Sequence, residues 1–375
     1  MDTLVCSPSP GAWRTAVKMI AALLENPVTR SLITILAAAA AVLPVNAGAA
    51  EQRPIVVLEL ASTFPGSMPI LGDAAHRLTQ RVKRASGGEV VFNFYEPGKL
   101  VPAAETVNAV STGKVAAAWA GAGWFAGKDS AFNFFSSVPF GPGIGEYIGW
   151  MYNGGGLQLA RAMFHEHRVH NIPCGLIPPE ASGWFRTEIK SPEDLRGLKM
   201  RIFGMGALVM RKFGVLTTQD APNDLFAKLK DGQLDAAEFS LPAMDRMLKL
   251  YDVAKYYYFP GWHQQATLFD LDINLSVWNA LEDRHKATIE LACGDILREM
   301  VAEGEAVQGS AIKELEAQGV QIRRWPASML VAFENAWKEV AAEESEKNPN
   351  FKRVYESYAA FRKNYETWKY LSTID

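Results

Sequence analysis

The sequence predicts an α/β fold of two lobes that together form a hinged clamp. Its 375 residues leave room for two lobes, and a hydrophobic content of 49% is enough to build a sizeable core. Two stretches alternate strands with helices, a rhythm that favours mostly parallel sheets covered by helices. No proline- or serine-rich linker separates them. We therefore expect the chain to cross between the lobes more than once, with a ligand site in the cleft.

Residues 1–50 are expected to form a secretory leader that is removed on export. Lys18 and Arg30 precede the apolar run LITILAAAAAVLPV, which leads to the small-residue sequence AGAA at positions 47–50. A basic flank, a short apolar run and an A-x-A site are typical of a signal peptide, and the run is short for a membrane span. The alternative is an uncleaved anchor. We expect the mature protein in the periplasm.

The elements of each stretch are predicted from apolar periodicity and turn residues. The first stretch contains the strand-like runs IVVLELAST, EVVFNFYE and KVAAAWAG, and the second contains CGLIPP, LKMRIFG and LDAAEFS. Glycine and proline mark the turns between them. Helical patterns cover residues 69–85, 102–112, 207–213, 223–230, 280–316 and 327–346.

The predicted lobes are discontinuous along the chain. Lobe 1 is expected to comprise residues 51–177 and 264–305, and lobe 2 residues 178–263 and 306–345. Residues 346–375 are expected to form a terminal helix. This helix carries aromatic residues at helical spacing, which places them on one face: Phe351, Tyr355, Tyr358, Phe361, Tyr365 and Trp368. The face packs either on its own subunit or on a partner chain in a homodimer.

Charge and cysteine content exclude several classes of protein. The formal net charge of −3 provides no electrostatic footprint for nucleic acid or acidic membranes. Cys174 and Cys293 are the only cysteines beyond the leader. They could pair in an oxidising compartment, but two cysteines are no disulfide framework, and we expect two buried free thiols.

Motifs of the common enzyme classes are absent from the sequence. It contains no P-loop, no G-x-S-x-G and no paired C-x-x-C. His165, His167 and His170 do not match H-E-x-x-H, and we expect them at a solvated helix end. The usual grounds for an enzyme are therefore missing.

Four segments around residues 180–265 carry the functional signal: PEASGWFRTEI, SPEDLRGLKMRIFGMGA, DGQLDAAEFS and YYYFPGWHQQ. Taken together they resemble the solute-binding proteins of TRAP transporters, the DctP type, and most of all the branch that binds 2-oxo acids. The resemblance extends upstream to FPGSMPILGDAAHRL and SSVPFG and covers roughly residues 55–345 in order. It implies a bilobal periplasmic-binding-protein-like clamp.

Arg201 is the first candidate ligand contact. It lies on the strand LKMRIFG, where an arginine needs an anionic partner or a cleft, and its planar fork matches a carboxylate. A structural ion pair with Glu238 is the alternative. The resemblance makes Arg201 the residue that holds the ligand carboxylate. Arg186, two residues after Trp184, resembles a second family position, and both residues are candidate ligand contacts.

The resemblance also implies a small cation beside the ligand. Glu238 and Phe239 follow a buried strand, where the family has Glu-Trp; the glutamate and the following backbone carbonyl help to hold the cation. Glu180 stands where the family has glutamine, and Gln264 where it has glutamate. Because both side chains supply oxygen ligands, we expect a Na⁺ or Ca²⁺ site whose carboxylate has moved. In the competing hypothesis the cation is lost, and His263 or Gln264 contacts the ligand directly.

The expected function is capture of a small monocarboxylate, a 2-oxo or 2-hydroxy acid, for the membrane subunits of a TRAP transporter. Trp124, in GAGWFAGK, either limits ligand length or packs in the core. The resemblance implies exchange of a terminal helix between two subunits. The alternative function is a secreted lyase or hydrolase that uses His263 and Glu238 as an acid–base pair, for which the sequence supplies no nucleophile or oxyanion donors.

Overall fold

Two β-sheets form the framework of residues 55–372, which this computed structural model describes. The first sheet consists of β1 (Val56–Ser62), β2 (Val90–Tyr95), β3 (Ala117–Ala120), β4 (Val169–Ile177) and β10 (Thr267–Asn274). Their order is β2-β1-β3-β10-β4. Strands β1, β2 and β3 run parallel, as expected for strands that alternate with helices, whereas β10 is antiparallel to both neighbours.

The second sheet comes from the middle of the chain and one late strand. Its strands are β5 (Gly183–Phe185), β6 (Lys199–Arg201), β7 (Leu216–Thr218), β8 (Ala236–Ala237), β9 (Tyr256–Phe259) and β11 (Gln321–Arg324), in the order β11-β9-β5-β8-β6-β7. The two sheets divide the chain close to the predicted lobe boundaries, which stay a prediction. The α/β clamp class predicted from the sequence is confirmed.

Helices cover both sheets in the described residues. They are α1 (Gly72–Ala85), α2 (Thr106–Thr112), α3 (Ile144–Asn153), α4 (Gly156–Glu166), α5 (Gly204–Lys212), α6 (Leu225–Lys230), α7 (Pro242–Asp245), α8 (Leu275–Ala280), α9 (Asp283–Ala317), α10 (Ala327–Lys347) and α11 (Pro349–Ser372). Helix α1 is an example of an amphipathic helix on the sheet, because its buried residues Ala75, Leu78 and Val82 repeat at helical spacing. No described helix is long and apolar enough to cross a membrane.

The long helix α9 links the two sheets. It packs on β4 and α1 beside the first sheet and on α7 beside the second. The side-chain carbonyl of Gln308 on α9 accepts a hydrogen bond of 3.0 Å from the backbone N–H of Ala243 on α7. The helix is thus a stiff element shared by both halves of the described chain.

The prediction of two free thiols was wrong. Cys174 on β4 and Cys293 on α9 form a disulfide whose Cα atoms are 4.2 Å apart. The sequence pattern places CGLIPP as a short strand, whereas β4 begins at Val169 and lies along the long helix. This packing brings two residues 119 positions apart together, which residue spacing does not reveal.

The aromatic face of helix α11 is divided between its two ends. Phe351 and Tyr358 are buried in their own chain, where Phe351 meets Phe134 with ring centroids 4.7 Å apart. At the other end Trp368 is 62% exposed. The first half therefore packs on its own subunit, as one of the two predictions stated, while the last turns present apolar surface.

Two buried aspartates lie on one face of β10, an interior strand of the first sheet. Asp270 and Asp272 pair with Ala120 and Ala118 of β3, and both Asp272 oxygens lack a hydrogen-bond partner among the described residues. Burial raises the pKa of Asp270 to about 7, and burial together with the Asp270 charge raises the pKa of Asp272 well above its usual range. The folded protein therefore holds protons here that the unfolded chain releases near pH 4.

We expect the thermal stability of the protein to fall as the pH rises from 5 to 8. A raised folded-state pKa stabilises the fold while the group is protonated, and this contribution is lost as the pH passes through the folded pKa of about 7. At about 1.4 kcal/mol per pKa unit the effect is on the order of a few kcal/mol. Scanning calorimetry of Asp270→Asn should show a shallower pH dependence. Asp283→Asn, at a solvent-exposed carboxylate, should leave it unchanged.

Candidate functional site

A small cavity lies between the two sheets. Residues around the first sheet supply an apolar wall that includes Trp124 and Phe269. Arg201 and Phe239 come from the second sheet or directly follow one of its strands, and Glu180 lies on the segment between β4 and β5. The remaining lining residues are Phe64, Leu71, Gly121, Ser136, Phe203, Pro222, Ser240, Gln264 and Thr267. A small ligand bound here would contact both halves of the chain.

Arg201 reaches the cavity because of its place in the second sheet. It ends β6, which pairs in parallel with β7 and β8, and the carboxyl ends of parallel strands open into clefts. The residue is only 6% exposed. Its Nε donates to the carbonyl oxygen of Asp220 at 3.3 Å, and its Nη1 donates to the carbonyl and carboxylate oxygens of Glu238. Among the described residues, its Nη2 donates no hydrogen bond.

Glu238 is held between the arginine and the backbone of the next strand. It follows β8, and its Oε2 accepts a hydrogen bond from Arg201 Nη1 at 3.0 Å and another from the backbone N–H of Phe203 at 3.2 Å. The Arg201–Glu238 ion pair that the sequence left open is thus present. Arg201 lines the cavity as well, so the pair holds the guanidinium in place beside a ligand.

Glu180 and Gln264 meet on the opposite side of the polar cluster. Gln264 Nε2 donates to Glu180 Oε1 at 2.7 Å, and the hydroxyl of Thr267 donates to the same oxygen at 2.9 Å. The backbone N–H of Gly261 donates to the Glu180 carbonyl at 3.0 Å. A Cβ at position 261 would lie 2.1 Å from that carbonyl oxygen, so only glycine permits this approach.

The pKa values of the two glutamates are shifted in opposite directions, because only Glu238 lies beside the Arg201 guanidinium. Burial and the Glu238 charge raise the pKa of Glu180 well above its usual value. Although burial opposes ionisation, His263 and the Arg201 guanidinium hold the pKa of Glu238 below its usual value. The charge of Glu238 therefore opposes ionisation of Glu180 as long as no cation is bound.

Several buried oxygen and nitrogen atoms in this cluster have no hydrogen-bond partner among the described residues. They are Glu180 Oε2, Glu238 Oε1, Gln264 Oε1 and both ring nitrogens of His263. One atom each from Glu180, Glu238 and His263 lies within 4.8 Å of the others. Buried polar atoms without partners are costly. A group of oxygen and nitrogen ligand atoms this close together suits a metal cation, so these residues fit the cation that the family resemblance implies.

The apolar wall faces this polar cluster. The Arg201 guanidinium carbon lies 5.7 Å from the centre of the Phe239 ring, and the Trp124 and Phe203 ring centroids are 6.1 Å apart. A Cβ at Gly123 would lie 2.6 Å from the Phe203 ring, so the loop that carries Trp124 is fitted to that ring. The cavity is thus lined by charged and aromatic side chains together, a lining that suits a small organic anion.

The structure brings most of the predicted site residues together. Arg201, Glu180, Phe239, Trp124 and Gln264 line the cavity, and Glu238 is hydrogen-bonded to Arg201 behind it.

Trp184 and Arg186 do not join them. The Trp184 side chain is buried, stacks on Tyr257 with ring centroids 3.8 Å apart and donates to Asp245 at 2.8 Å. Arg186 is exposed at the end of β5. Their part in binding stays a prediction.

Nine lining residues were not predicted as site residues from the sequence, among them Thr267, Phe203 and Phe269. Phe203 follows Arg201 by two positions, and Thr267 follows Gln264 by three, so proximity to a predicted contact was the available signal. Phe269 carries no such signal, because it lies in the middle of the uniformly buried strand β10.

The chain is similar to known transport proteins over most of its length. Residues 61–348 match the family model of bacterial extracellular solute-binding protein, family 7, called DctP. A monocarboxylate 2-oxoacid-binding periplasmic protein of Nostoc sp. (strain PCC 7120) is 32% identical over 316 residues, which cover 84% of this chain and 86% of that protein.

Three solved structures of TRAP solute-binding proteins have similar folds. The first, from Bordetella bronchiseptica RB50, was solved as a mixed-occupancy dimer with copurified calcium and picolinate; it is 33% identical, has a TM-score of 0.83, and the match covers 85% of this chain and 95% of that one. The second, from Colwellia psychrerythraea with calcium and pyruvate, is 28% identical with a TM-score of 0.82 and coverages of 85% and 97%. The third, from Pseudoalteromonas atlantica T6c with sodium and pyruvate, is 27% identical with a TM-score of 0.81 and coverages of 86% and 100%.

Proposed function

The chain belongs to the DctP family of bacterial extracellular solute-binding proteins, and from that premise we propose that it captures a small monocarboxylate, a 2-oxo or 2-hydroxy acid, in the cavity around Arg201. Proteins of this family bind solutes for transport, so the chain is a binding protein and not an enzyme. His263 and Glu238 accordingly have no acid–base reaction to perform.

One observation carries the proposal: a buried arginine lines the same cavity as Glu180 and Gln264, each of which has a buried oxygen without a hydrogen-bond partner among the described residues. Arg201 is held by Glu238 and by the Asp220 carbonyl, so its orientation is set before a ligand arrives. Such preorganisation reduces the entropy lost on binding. In this proposal Arg201 Nη2, free of other hydrogen bonds among the described residues, donates to the ligand carboxylate.

The cation predicted for this site would neutralise charge and polarise the ligand's second oxygen when it is bound. Glu180, Glu238 and Gln264 would hold it through the oxygens that now lack partners. The Phe239 ring closes the apolar side and offers no N–H donor, unlike the tryptophan of the resembling branch. The ligand then has one polar contact fewer and is held by its carboxylate, its second oxygen and the aromatic wall.

The lobes would close on the ligand by a hinge motion. Lobe 1 comprises residues 51–177 and 264–305 and lobe 2 residues 178–263 and 306–345 in this proposal. Two segments that cross between the sheets, after β4 and after β9, carry Glu180 and Gln264. Because site residues lie on the crossings themselves, ligand binding and closure are coupled.

The proposed partners are the membrane subunits of a TRAP transporter, which would receive the ligand from the closed form in the periplasm. Export would use the leader at residues 1–50, which lies outside the described residues. The exposed last turns of α11, with Trp368, Tyr370 and Leu371, support a homodimer through residues 346–375. A second copy would cover apolar surface that the described chain leaves open.

A thermal-shift screen tests the proposed function. Small carboxylates would be added to metal-stripped protein with and without Na⁺ or Ca²⁺, and a ligand that binds only the folded state raises the unfolding midpoint. We expect 2-oxo or 2-hydroxy monocarboxylates to raise it in the presence of a cation. Dicarboxylates of similar length serve as the matched control. If no monocarboxylate shifts the midpoint under any cation, the proposal is wrong.

Positions 180 and 264 carry glutamate and glutamine, whereas the resembling branch has them the other way round. This exchange predicts that substitutions at the two positions compensate for each other. Glu180→Gln alone removes a carboxylate from the cation ligands and should lower cation affinity by at least about tenfold, because ligand charge tunes such sites. Adding Gln264→Glu should restore most of the loss. Isothermal titration calorimetry measures both. Gln265→Glu in place of Gln264→Glu adds the same charge one residue away and should restore nothing.

A further inference from the structure

We infer that His263 is a ligand of the cation, and that the site consequently selects a divalent transition metal such as Zn²⁺ over Na⁺ and Ca²⁺. This inference rests on the proposed function, because it concerns the cation of the same cavity. It begins with an imidazole that the fold buries and leaves without a hydrogen bond.

His263 is 1% exposed, and neither ring nitrogen has a hydrogen-bond partner among the described residues. Its side chain packs against α5, where a Cβ at Gly206 would lie 2.9 Å from the His263 Cβ. Glycine at position 206 thus allows the histidine to sit at the cluster. A buried imidazole without a partner is costly unless something occupies its lone pair.

The distance between His263 and Glu238 suits two ligands of one ion. His263 Nε2 lies 3.4 Å from Glu238 Oε1, which is an ion-pair distance without the geometry of a hydrogen bond. Two ligands of one zinc ion, with bonds of about 2.1 Å at the tetrahedral angle, are separated by about 3.4 Å. Glu180 belongs to the same group, whose donor atoms lie within 4.8 Å of one another.

The charge of the loaded site favours a divalent ion. With the cation bound, Glu180 and Glu238 are both carboxylates, since metal ligands must be deprotonated. The ligand adds a third negative charge, and Arg201 supplies one positive charge. A divalent cation neutralises the remaining two charges, whereas Na⁺ would leave one uncompensated charge in a buried site.

The His263 imidazole then favours a transition metal over Ca²⁺ among the divalent ions. Ca²⁺ takes six to eight oxygen ligands, whereas imidazole nitrogen suits zinc, copper, iron and nickel. Two carboxylates, an amide oxygen and an imidazole make a compact mixed set of four ligands. Gln264 supplies the amide oxygen, because its Oε1 is buried and has no partner among the described residues.

Cobalt(II) spectroscopy and calorimetry on the metal-stripped protein test this inference. Co²⁺ bound to a four-coordinate site with nitrogen and oxygen ligands gives visible absorption, which titration with Zn²⁺ should abolish at one equivalent. We expect Zn²⁺ to bind at least about 100-fold more tightly than Ca²⁺, and His263→Asn to lose a comparable factor for Zn²⁺ while Ca²⁺ affinity changes less than about threefold. His285→Asn, at a buried histidine beside Glu89, is the matched control and should keep both affinities.

Failure of the inference and failure of the proposed function give different results. If 2-oxo acids bind with Ca²⁺ equally well in the wild type and His263→Asn, and Co²⁺ gives no absorption, the histidine ligand is refuted while the function stands. If Co²⁺ and Zn²⁺ bind through His263 but no monocarboxylate binds, the function is refuted. Ligand binding in the presence of a chelator, weakened by His263→Asn, would overturn the metal role and indicate direct contact with the ligand.

Discussion

Replacing Arg201 by alanine is expected to abolish capture of the ligand. The substitution removes the proposed donor to the ligand carboxylate and also leaves Glu238, which is fully buried, without its arginine. Truncating one partner of a buried charge pair costs about 2–5 kcal/mol. We therefore expect the dissociation constant for the best monocarboxylate to rise by at least about 100-fold in isothermal titration calorimetry.

Two further variants distinguish loss of the Arg201 contact with the ligand from a general effect on folding. Arg201→Lys keeps the charge, but one ammonium group cannot serve the Asp220 carbonyl, Glu238 and a ligand carboxylate in the planar geometry of a guanidinium. It should bind weakly while unfolding close to the wild-type temperature. Arg298→Ala, at an exposed arginine of α9 outside the cavity, should bind normally. Undiminished binding by Arg201→Ala would show that the ligand lies elsewhere.

The fold class could be predicted from the sequence because its signals are local. Strand runs such as IVVLELAST and LKMRIFG lie between helical patterns, and the structure places strands β1 and β6 within them. The predicted first and last residues of the helices and strands were less accurate than their type. The helix predicted from residue 69 begins at Gly72, and the residue Ile70 before it has a positive φ of 67° that apolar spacing cannot reveal.

The sequence pointed to those site residues that stand at the end of a predicted strand. Arg201 and Glu238 end neighbouring parallel strands, so their meeting follows from the α/β rhythm. The Glu180–Gln264 hydrogen bond joins residues 84 positions apart on two crossings, and only the family resemblance pointed to it. Trp184 lies on a strand of the same sheet but faces the core, because Asp245 binds its indole N–H.

Asp245 is a buried structural residue that the local sequence pattern does not identify. Its carboxylate accepts hydrogen bonds from Trp184, Tyr257 and the backbone of Ser240, and it thereby positions the segment that carries Glu238. Burial raises its pKa to about 7 despite these donors. Nothing in the surrounding sequence LPAMDRM distinguishes this aspartate from a solvent-exposed one. Its role depends on three residues that only the folded chain brings together.

The disulfide is expected to supply a large share of the stability of the mature protein. Cys174 and Cys293 are 119 positions apart, and cross-links that close loops of this length contribute about 2–5 kcal/mol, mainly by restricting the unfolded chain. Replacing both residues by alanine should therefore lower the unfolding temperature in scanning calorimetry by roughly 5–15 °C, at about 2–4 °C per kcal/mol. Each single variant should lose the same cross-link.

Ligand binding should survive this loss, since neither cysteine lines the cavity. The Cys174→Ala/Cys293→Ala variant should bind its carboxylate with near wild-type affinity at 25 °C, which separates the structural cross-link from the site. Wild-type protein treated with reductant is the matched control and should unfold at the lowered temperature as well. Peptide mapping without reduction should recover the two cysteines in one linked fragment. An unchanged unfolding temperature in the double variant would contradict the prediction, because a cross-link between β4 and α9 must restrict the unfolded chain.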